Sequence, residues 1–261
     1  MALQLNDTVK DYKEFYGRNT DQMPLLIAEG RTPMSTQGLM QRRLETLNSG
    51  DQDLIKTFWE NYFDTGDAKF YNTNGNAKVV LDSGIMRRIN PQSKLKNGAL
   101  IISDDEYKAL EGQEFTRDEL NKYAKGESLS RKEVISNPIW KALARDQALL
   151  EEYAGKAFDK AKADHGYSKI MGVYVSDTPD VPVGRLWFAS RLINDSDAIA
   201  RGNLDDDNVR LVGVAPKAQS ASKNQASFAL DDKVKDALIG GKAFQYNGLL
   251  YVPSADPSVK L

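Results

Sequence analysis

The sequence contains no cysteine and a single histidine, His165. Without cysteine there can be no disulfide, no thiolate nucleophile, no iron–sulfur cluster and no cysteine-liganded zinc. One imidazole also falls short of the two or more that most zinc, copper and non-haem iron sites use. The sequence therefore excludes cysteine chemistry and disfavours most transition-metal sites.

Long apolar runs and a strong charge imbalance are also missing. No apolar run approaches the ~18–20 residues that a membrane-spanning helix needs, and the start, MALQLNDTVKDYKEF, is too polar for a signal peptide. The 261 residues carry a net charge of −2, which offers no broad positive field for nucleic acid. We therefore expect a soluble cytoplasmic protein without a membrane partner, in which nucleic-acid binding is not favoured.

The usual catalytic motifs are absent as well. The chain has neither a G-x-x-x-x-G-K-[ST] loop nor a G-x-G-x-x-G loop after a strand, and no serine lies in a nucleophile elbow. His165 precedes Gly166 at the end of a predicted helix, where the helix dipole favours a protonated imidazole. We accordingly predict no catalytic residue and no cofactor.

Apolar spacing and cap residues predict helices mainly in the first two thirds of the chain. Residues 36–47 follow a Ser35 or Thr36 cap, and a second helix carries an apolar face that extends to Phe63. Three capping boxes then predict short helices. They are Ser103–Glu106, Thr116–Glu119 and Ser130–Glu133. A long predicted helix begins at Pro138 and runs unbroken to Gly166, and a short one with Val234, Ala237 and Leu238 precedes the C-terminal strands.

Strand patterns are concentrated later in the chain. Asn74-Gly75 predicts a hairpin near 68–81, and the later runs 170–175, 185–192 and 209–214 are apolar enough for strands. Asn247-Gly248 predicts a second hairpin within 243–253. The pattern predicts an α+β fold with a helix-rich N-terminal part, residues 1–166, followed by a mainly antiparallel sheet in a strand-rich C-terminal part, residues 167–261. The two parts could equally form one continuous domain.

Three consecutive aspartates, Asp205, Asp206 and Asp207, precede the run VRLVGV. Their spacing does not fit an EF-hand loop, because no glycine occupies position 6 and no glutamate closes the loop. We interpret them as an exposed turn whose counter-charges are Arg201 and Arg210. The alternative is a Mg²⁺ or Ca²⁺ site in which Asp205 and Asp207 are ligands.

Two other segments suggest binding. Residues 36–81 have the helix–helix–hairpin order of a winged helix, although the second helix is too acidic for a DNA groove. Arginines and carboxylates surround the apolar run MPLLIA, and arginines there could grip an anionic ligand or a partner's carboxylates. The residues of this candidate ligand or partner site are Arg18, Asn19, Asp21, Glu29 and Arg31.

These observations favour a non-enzymatic intracellular interaction or structural protein that binds another protein or its own copies. The alternative is a divalent-metal-dependent hydrolase or nuclease that uses the carboxylate cluster. A winged-helix nucleic-acid-binding protein is the second alternative. The sequence leaves the partner, the oligomeric state and the biological process undetermined.

Overall fold

The computed structural model describes residues 11–216, except for the side chain of Asn194, and the backbone of two short strands near the C-terminus. The chain divides into two compact units, residues 1–220 and 221–261. In the second unit, the strands β12 (Phe244–Tyr246) and β13 (Leu249–Tyr251) pair antiparallel. The predicted pairing within 243–253 is thus confirmed, whereas its Asn247-Gly248 turn and the short predicted helix before it lie outside the described residues.

The first unit combines short strands with helices throughout its length. Its strands are β1 (Tyr12–Tyr16), β2 (Thr32–Pro33), β3 (Phe63–Tyr71), β4 (Ala77–Val80), β5 (Leu95–Lys96), β6 (Ala99–Ile101), β7 (Gln113–Phe115), β8 (Val173–Val175), β9 (Val183–Ala189), β10 (Ala198–Ala200) and β11 (Arg210–Val214). Its helices are α1 (Asn19–Ala28), α2 (Thr36–Ser49), α3 (Gln52–Trp59), α4 (Asp104–Ala109), α5 (Arg117–Tyr123), α6 (Arg131–Ser136), α7 (Pro138–Ala144) and α8 (Gln147–His165). Single 3-10 turns cover Met86–Arg88 and Leu192–Asn194.

All eleven of these strands join one mixed sheet, whose longest path is β1-β11-β3-β9-β10-β8. β11 pairs parallel with β3, and β10 pairs parallel with β8. Strand β1 pairs antiparallel with β11, so Tyr12 lies opposite Val214. Strands from the beginning and the end of this unit are therefore neighbours in its sheet.

The predicted fold class is wrong. Seven strands occur before residue 116, so the N-terminal part is not simply helix-rich and the sheet is not confined to the C-terminal part. The sheet is mixed, because the pairings β11–β3 and β10–β8 are parallel while its other strand pairings are antiparallel. The error has a physical cause in β3, whose sequence FDTGDAKFY is buried throughout and pairs with β4, β9 and β11. A strand buried on both faces shows no apolar–polar alternation, and polar residues hide this one further.

The second predicted helix extends too far, because α3 ends at Trp59 and Phe63 already belongs to β3. The hairpin at Asn74-Gly75 does form, with Ala68 opposite Val80 and with Gly75 at φ 89°. A positive φ in this turn is readily adopted by glycine. The hairpin is confirmed. It is part of the large sheet, however, and not the separate two-stranded wing of a winged helix.

The helix starts follow the sequence closely. In each of the three predicted capping boxes the hydroxyl accepts from the backbone N–H of the glutamate and the glutamate accepts from the cap N–H, as in Ser103–Glu106. Such a cap contributes about 1 kcal/mol because it satisfies donors that have no partner within the helix. All three boxes are confirmed.

The predicted unbroken helix from Pro138 to Gly166 is wrong, because it is interrupted at Arg145. This residue adopts a left-handed conformation with φ 60°, and Asp146 then caps α8 by accepting from Leu149 N. The guanidinium of Arg145 forms ion pairs of 2.6 Å with both Asp67 and Asp82, which lie in and just after the central hairpin. These ion pairs hold the break against the sheet.

One sheet face carries the main core. It contains the tryptophans Trp59, Trp140 and Trp187 and packs against α2, α7 and α8. A second apolar cluster that includes Phe70 and Met86 occupies part of the other face. Among the described residues, no helix has both the length and the apolar character required to cross a membrane.

Candidate ligand-binding pocket

A row of four side chains crosses the sheet on the face opposite the main helical core. Asp64 of β3 lies opposite Phe188 of β9, Phe188 lies opposite Ile199 of β10, and Ile199 lies opposite Tyr174 of β8. Directly paired residues point to the same side of a sheet. The row therefore forms a continuous strip with a carboxyl at one end and a phenol at the other.

The adjacent row shows why this strip is open. Phe63, Ala189, Ala198 and Val173 are also paired across the same four strands, and all four are buried in the main core. Successive residues of a strand point to opposite faces. The helices of the main core cover one face, and the strip on the other face stays only half-buried at Phe188, Ile199 and Tyr174.

A cavity of about 610 Å³ lies above this strip, within the range of typical ligand pockets. Its lining combines aromatic, carboxylate and guanidinium side chains with the segment between β10 and β11. The lining residues are Tyr62, Asp64, Tyr174, Phe188, Ser190, Arg191, Asp197, Ile199, Arg201, Gly202, Asp206, Asn208 and Val209. We call this cavity the sheet pocket.

Asp64 is the buried carboxyl of the sheet pocket, with only 5% of its surface exposed. Asn19 Nδ2 donates to its Oδ2 at 3.3 Å, while the buried Oδ1 of Asn19 has no hydrogen-bond partner. Burial raises the pKa of Asp64 to about 7; the Asn19 hydrogen bond opposes this shift and the charge of Asp206 reinforces it. No ion pair joins Asp64 to a cation within residues 11–216.

Asp197 is the second buried carboxyl, and it is built into the wall. Its Oδ1 accepts from Gly172 N at 2.6 Å, and its own N–H donates to Ser190 Oγ at 2.8 Å. Burial raises its pKa to about 7, against the lowering effect of the Gly172 hydrogen bond. Arg201 lies over the ring of Tyr174 at 5.1 Å and also lowers the pKa of Asp197.

The remaining wall is formed by Tyr62 and the turn before β11. The Tyr62 hydroxyl donates to the carbonyl of Asn208, and its ring meets Phe188 edge-on with 6.2 Å between centroids. These contacts fix an aromatic corner beside Asp64. Flat apolar or cationic groups bind well against such surfaces.

Arg43 supports the pocket wall from the core side, and it is fully buried. Its guanidinium donates five hydrogen bonds of 2.8–3.2 Å, none of them to a carboxylate. The acceptors are the carbonyls of Phe58, Asn61 and Ser190 and the hydroxyls of Tyr153 and Ser196. Arg43 thus ties α2, α3 and α8 to the segment 190–196.

The structure disperses the predicted site around MPLLIA. Asn19 reaches the sheet pocket through its bond to Asp64, and Arg18 forms an ion pair of 2.5 Å with Asp207. Glu29 instead binds Lys13 at 2.5 Å and Arg31 at 3.5 Å. Arg31 also donates to the carbonyl of Gly213 at 3.2 Å, and Asp21 is exposed in the first turn of α1. Of these five residues only Asn19 contacts a pocket carboxyl, and their role in binding stays a prediction.

The acidic triplet is exposed, and its members have different neighbours. Asp206 lines the sheet pocket, whereas Asp207 takes Arg18 as its counter-charge. The expected counter-charges are engaged elsewhere: Arg201 lies over Tyr174, and Arg210 pairs with Glu14. Among the described residues, no three histidine, aspartate or glutamate side chains form a group that could hold a metal ion.

We predict that Mg²⁺, Mn²⁺ and Ca²⁺ each shift the melting temperature by less than about 1 °C in a thermal titration, because exposed carboxylates bind such ions weakly. A ligand that binds only the folded state would raise the melting temperature in a saturable way. A saturable rise of several degrees that disappears in Asp205→Asn would show instead that the triplet holds a metal.

The winged-helix interpretation does not fit the structure. Residues 36–81 do contain α2, α3 and a hairpin in that order, but β3 is hydrogen-bonded on both sides and cannot act as a separate wing. Phe58 and Trp59 of the would-be recognition helix are fully buried. The segment is an integral part of the sheet and its core.

Sequence reasoning missed most of the pocket residues. In β9, the neighbours Trp187 and Phe188 point to opposite faces, so the strand is apolar on both and gives no alternation signal. Asp64 lies in the first half of β3, outside the predicted hairpin near 68–81. The residues singled out in the sequence that do line the pocket are Asp206, which belongs to the acidic triplet, and Arg201, its expected counter-charge.

No protein-family model and no curated protein matches the chain. Its structure is similar, at 20% sequence identity and a TM-score of 0.50, to a solved structure described as "Accommodation of massive sequence variation in Nanoarchaeota by the C-type lectin fold". The similarity covers 78% of this chain and 97% of that one. The chain has a C-type lectin fold. At this level of identity the similarity concerns the fold alone, and the C-type lectin fold replaces the predicted arrangement of a helix-rich part followed by an antiparallel sheet.

Proposed function

We propose that this chain is a non-enzymatic binding protein that accommodates part of a partner protein in the sheet pocket. The observation that carries the proposal is the uncovered strip from Asp64 to Tyr174, which gives the pocket a half-buried apolar floor with a buried carboxyl at one end. Pockets of this kind, mostly apolar with a few placed polar groups, are the usual binding sites of proteins.

The chemistry of the lining favours binding over catalysis. Ser190 is the only hydroxyl nucleophile other than tyrosine among the lining residues, and its Oγ already accepts from Asp197 N. That hydroxyl also donates to the carbonyl of Arg191 at 3.4 Å rather than to a general base. The two buried carboxyls of the lining that could act as bases accept instead from the Asn19 amide and from Gly172 N. The polar groups are therefore suited to recognising a ligand.

The similar structure adds indirect support. It is described as accommodating massive sequence variation, which is the behaviour expected when a rigid sheet carries exposed residues that can change without loss of the core. The pocket here has that construction, because its exposed rim residues Arg191, Arg201 and Asn208 lie outside the core.

A fragment titration with a pocket-filling variant tests the proposal. Neutral, acidic and basic aromatic fragments should shift the backbone amide resonances of segments 62–64, 188–191 and 197–208 in the ¹⁵N-labelled protein. Ile199→Trp should weaken that binding at least about tenfold, since the half-buried Ile199 forms the pocket floor and an indole there would occupy the space.

Ile193→Trp is the matched control, because Ile193 is 49% exposed and does not line the pocket. It should bind the same fragments as the unmodified protein does. The proposal is wrong if no fragment shifts the pocket resonances, or if Ile199→Trp binds fragments unchanged. A molar mass that rises with concentration in light scattering, and stops rising in Ile199→Trp, would identify the partner as a second copy of the chain.

A further inference from the structure

Charge is distributed unevenly along the floor of the sheet pocket. At the Tyr174 end, Arg201 lies over the phenol ring and acts on the nearby Asp197, so positive and negative groups occur together. At the Asp64 end, Asp206 adds a second carboxylate, and among the described residues no ion pair joins either carboxylate to an arginine or lysine. Two arginines act nearby: Arg210 bonds to Tyr62 and is paired with Glu14, and the charge of Arg185 interacts with that of Asp206. The Asp64 end therefore has two carboxylates without an ion-pair partner.

The separation between the two ends matters for a charged ligand. Asp64 and Tyr174 are three strand spacings apart, or roughly 14 Å at about 4.8 Å for each spacing. This exceeds the screening length of about 8–10 Å in physiological salt. The guanidinium of Arg201 therefore opposes a cation at the Asp64 end only weakly.

The groups around Asp64 suit a cation on a flat or aliphatic stem. Phe188 occupies the next position of the row, and Tyr62 meets it edge-on, so the two rings form a corner beside the carboxyl. Cations bind favourably over aromatic faces, and a guanidinium adds parallel hydrogen bonds to a carboxylate. A buried carboxylate without a counter-ion gains most from such a partner.

We propose that the Asp64 end of the sheet pocket binds the basic side chain of an arginine or lysine presented by a partner protein. The stem of that side chain lies on Phe188 and Ile199, and its cationic head meets Asp64 with Asp206 beside it. This inference rests on the proposed function, and it adds the chemical class of the group that the pocket takes.

Matched peptides test the inference. Acetyl-Gly-Arg-Gly-amide and its citrulline counterpart have nearly the same shape, but only the first is charged. At pH 8 the arginine peptide should bind at least about tenfold more tightly than the citrulline peptide, as measured by amide-resonance titration, which corresponds to about 1.4 kcal/mol. Asp64→Asn should reduce this preference to less than about twofold, while Asp159→Asn, an exposed carboxylate of α8, should leave it unchanged.

The pH dependence gives a second readout. Tyr62 and Asp206 are the titratable groups that interact electrostatically with Asp64. Because the pKa of Asp64 is raised to about 7, its carboxyl takes up a proton as the pH falls. The preference for the arginine peptide should therefore decrease between pH 8 and pH 6, and Asp64→Asn should lack most of this decrease.

The outcomes separate the inference from the function on which it rests. If both peptides shift the pocket resonances equally, the pocket binds ligands but the cation assignment is wrong. If n-propylguanidinium binds and the arginine peptide does not, the pocket takes a free small cation and the assignment to a protein side chain is wrong. If neither these probes nor any aromatic fragment shifts the pocket resonances, the proposed function fails as well.

Discussion

Replacing Arg43 with methionine should destabilise the protein by about 3–5 kcal/mol. The substitution keeps most of the volume and removes the guanidinium, which is fully buried and donates five hydrogen bonds. Each acceptor left buried without a donor costs about 1–3 kcal/mol, although partial rearrangement would lower the total. Equilibrium denaturation in urea measures this loss directly.

The five acceptors of Arg43 are neutral carbonyl and hydroxyl groups rather than carboxylates, and these groups determine the size of the effect. Two of the acceptors, the carbonyls of Phe58 and Asn61, lie at and just beyond the C-terminal end of α3. The partial negative charge at a helix C-terminus favours a cation there, and the ring of Trp59 lies 5.7 Å from the guanidinium carbon. Arg43 is therefore stabilised by oriented dipoles, and methionine would leave those dipoles facing an apolar group.

Arg43→Lys keeps the charge but offers a single donor atom, so it should lose about half as much stability as Arg43→Met and remain measurable if the methionine variant does not fold. Arg88→Met is the matched control, because Arg88 is exposed, and it should change stability by less than about 0.5 kcal/mol. A loss below about 1 kcal/mol in Arg43→Met would contradict the structural role. The variants that fold should also bind pocket fragments less tightly, because Arg43 holds Ser190 and Ser196 in place.

Local signals in the sequence predicted local structure well. The capping boxes and the Asn74-Gly75 turn depend on a few neighbouring residues, and all are present as expected. Long-range pairing left no comparable signal: β1 pairs with β11 across some two hundred residues, and the buried β3 contains Asp64, Asp67 and Lys69. Alternation of apolar and polar residues identifies only strands that have one exposed face. Strand β3 is buried on both faces, so this signal is missing from its sequence.

The same reasoning explains why the pocket could not be predicted. Its floor is built from one residue in each of four strands, and the register that aligns them is a property of the folded sheet. The break at Arg145 is similar, since its cause is the pair of aspartates in and after the hairpin, far away in sequence. The sequence therefore did not predict the features that depend on contacts between segments distant along the chain.

The protein should be less stable at pH 8 than at pH 5, by about 3 kcal/mol or more. The pKa of Asp64 is raised from 3.8 to about 7 by burial, so the folded state holds a proton that the unfolded state has released between those two values. In that interval the free energy of unfolding falls by about 1.4 kcal/mol for each pH unit. The raised pKa of Asp197 acts in the same direction. Urea denaturation at pH 5, 6, 7 and 8 would measure the slope.

Several exposed glutamates act oppositely but at lower pH. The capping-box residues Glu106, Glu119 and Glu133 have pKa values lowered by hydrogen bonds to their caps, so their stabilising effect is complete above about pH 5 and is lost as the pH falls further. The two opposing trends place the stability maximum near pH 5. Equal stability at pH 5 and pH 8 would contradict the assignment of raised pKa values to the pocket carboxyls.

The variant Asp64→Asn separates the contribution of the Asp64 carboxyl to the pH dependence of stability from the contributions of the other titratable groups. Asparagine has nearly the same shape as a protonated aspartate, so the variant should match the unmodified protein at pH 5 and exceed its stability by about 3 kcal/mol at pH 8. Asp159→Asn should preserve the original slope. The carboxylate that weakens the fold at pH 8 is also the group whose charge a basic side chain would neutralise. We therefore expect Asp64→Asn to gain stability at pH 8 and, at the same time, to lose the preference for the arginine peptide over the citrulline peptide. A purely structural role of Asp64 would not produce this combination.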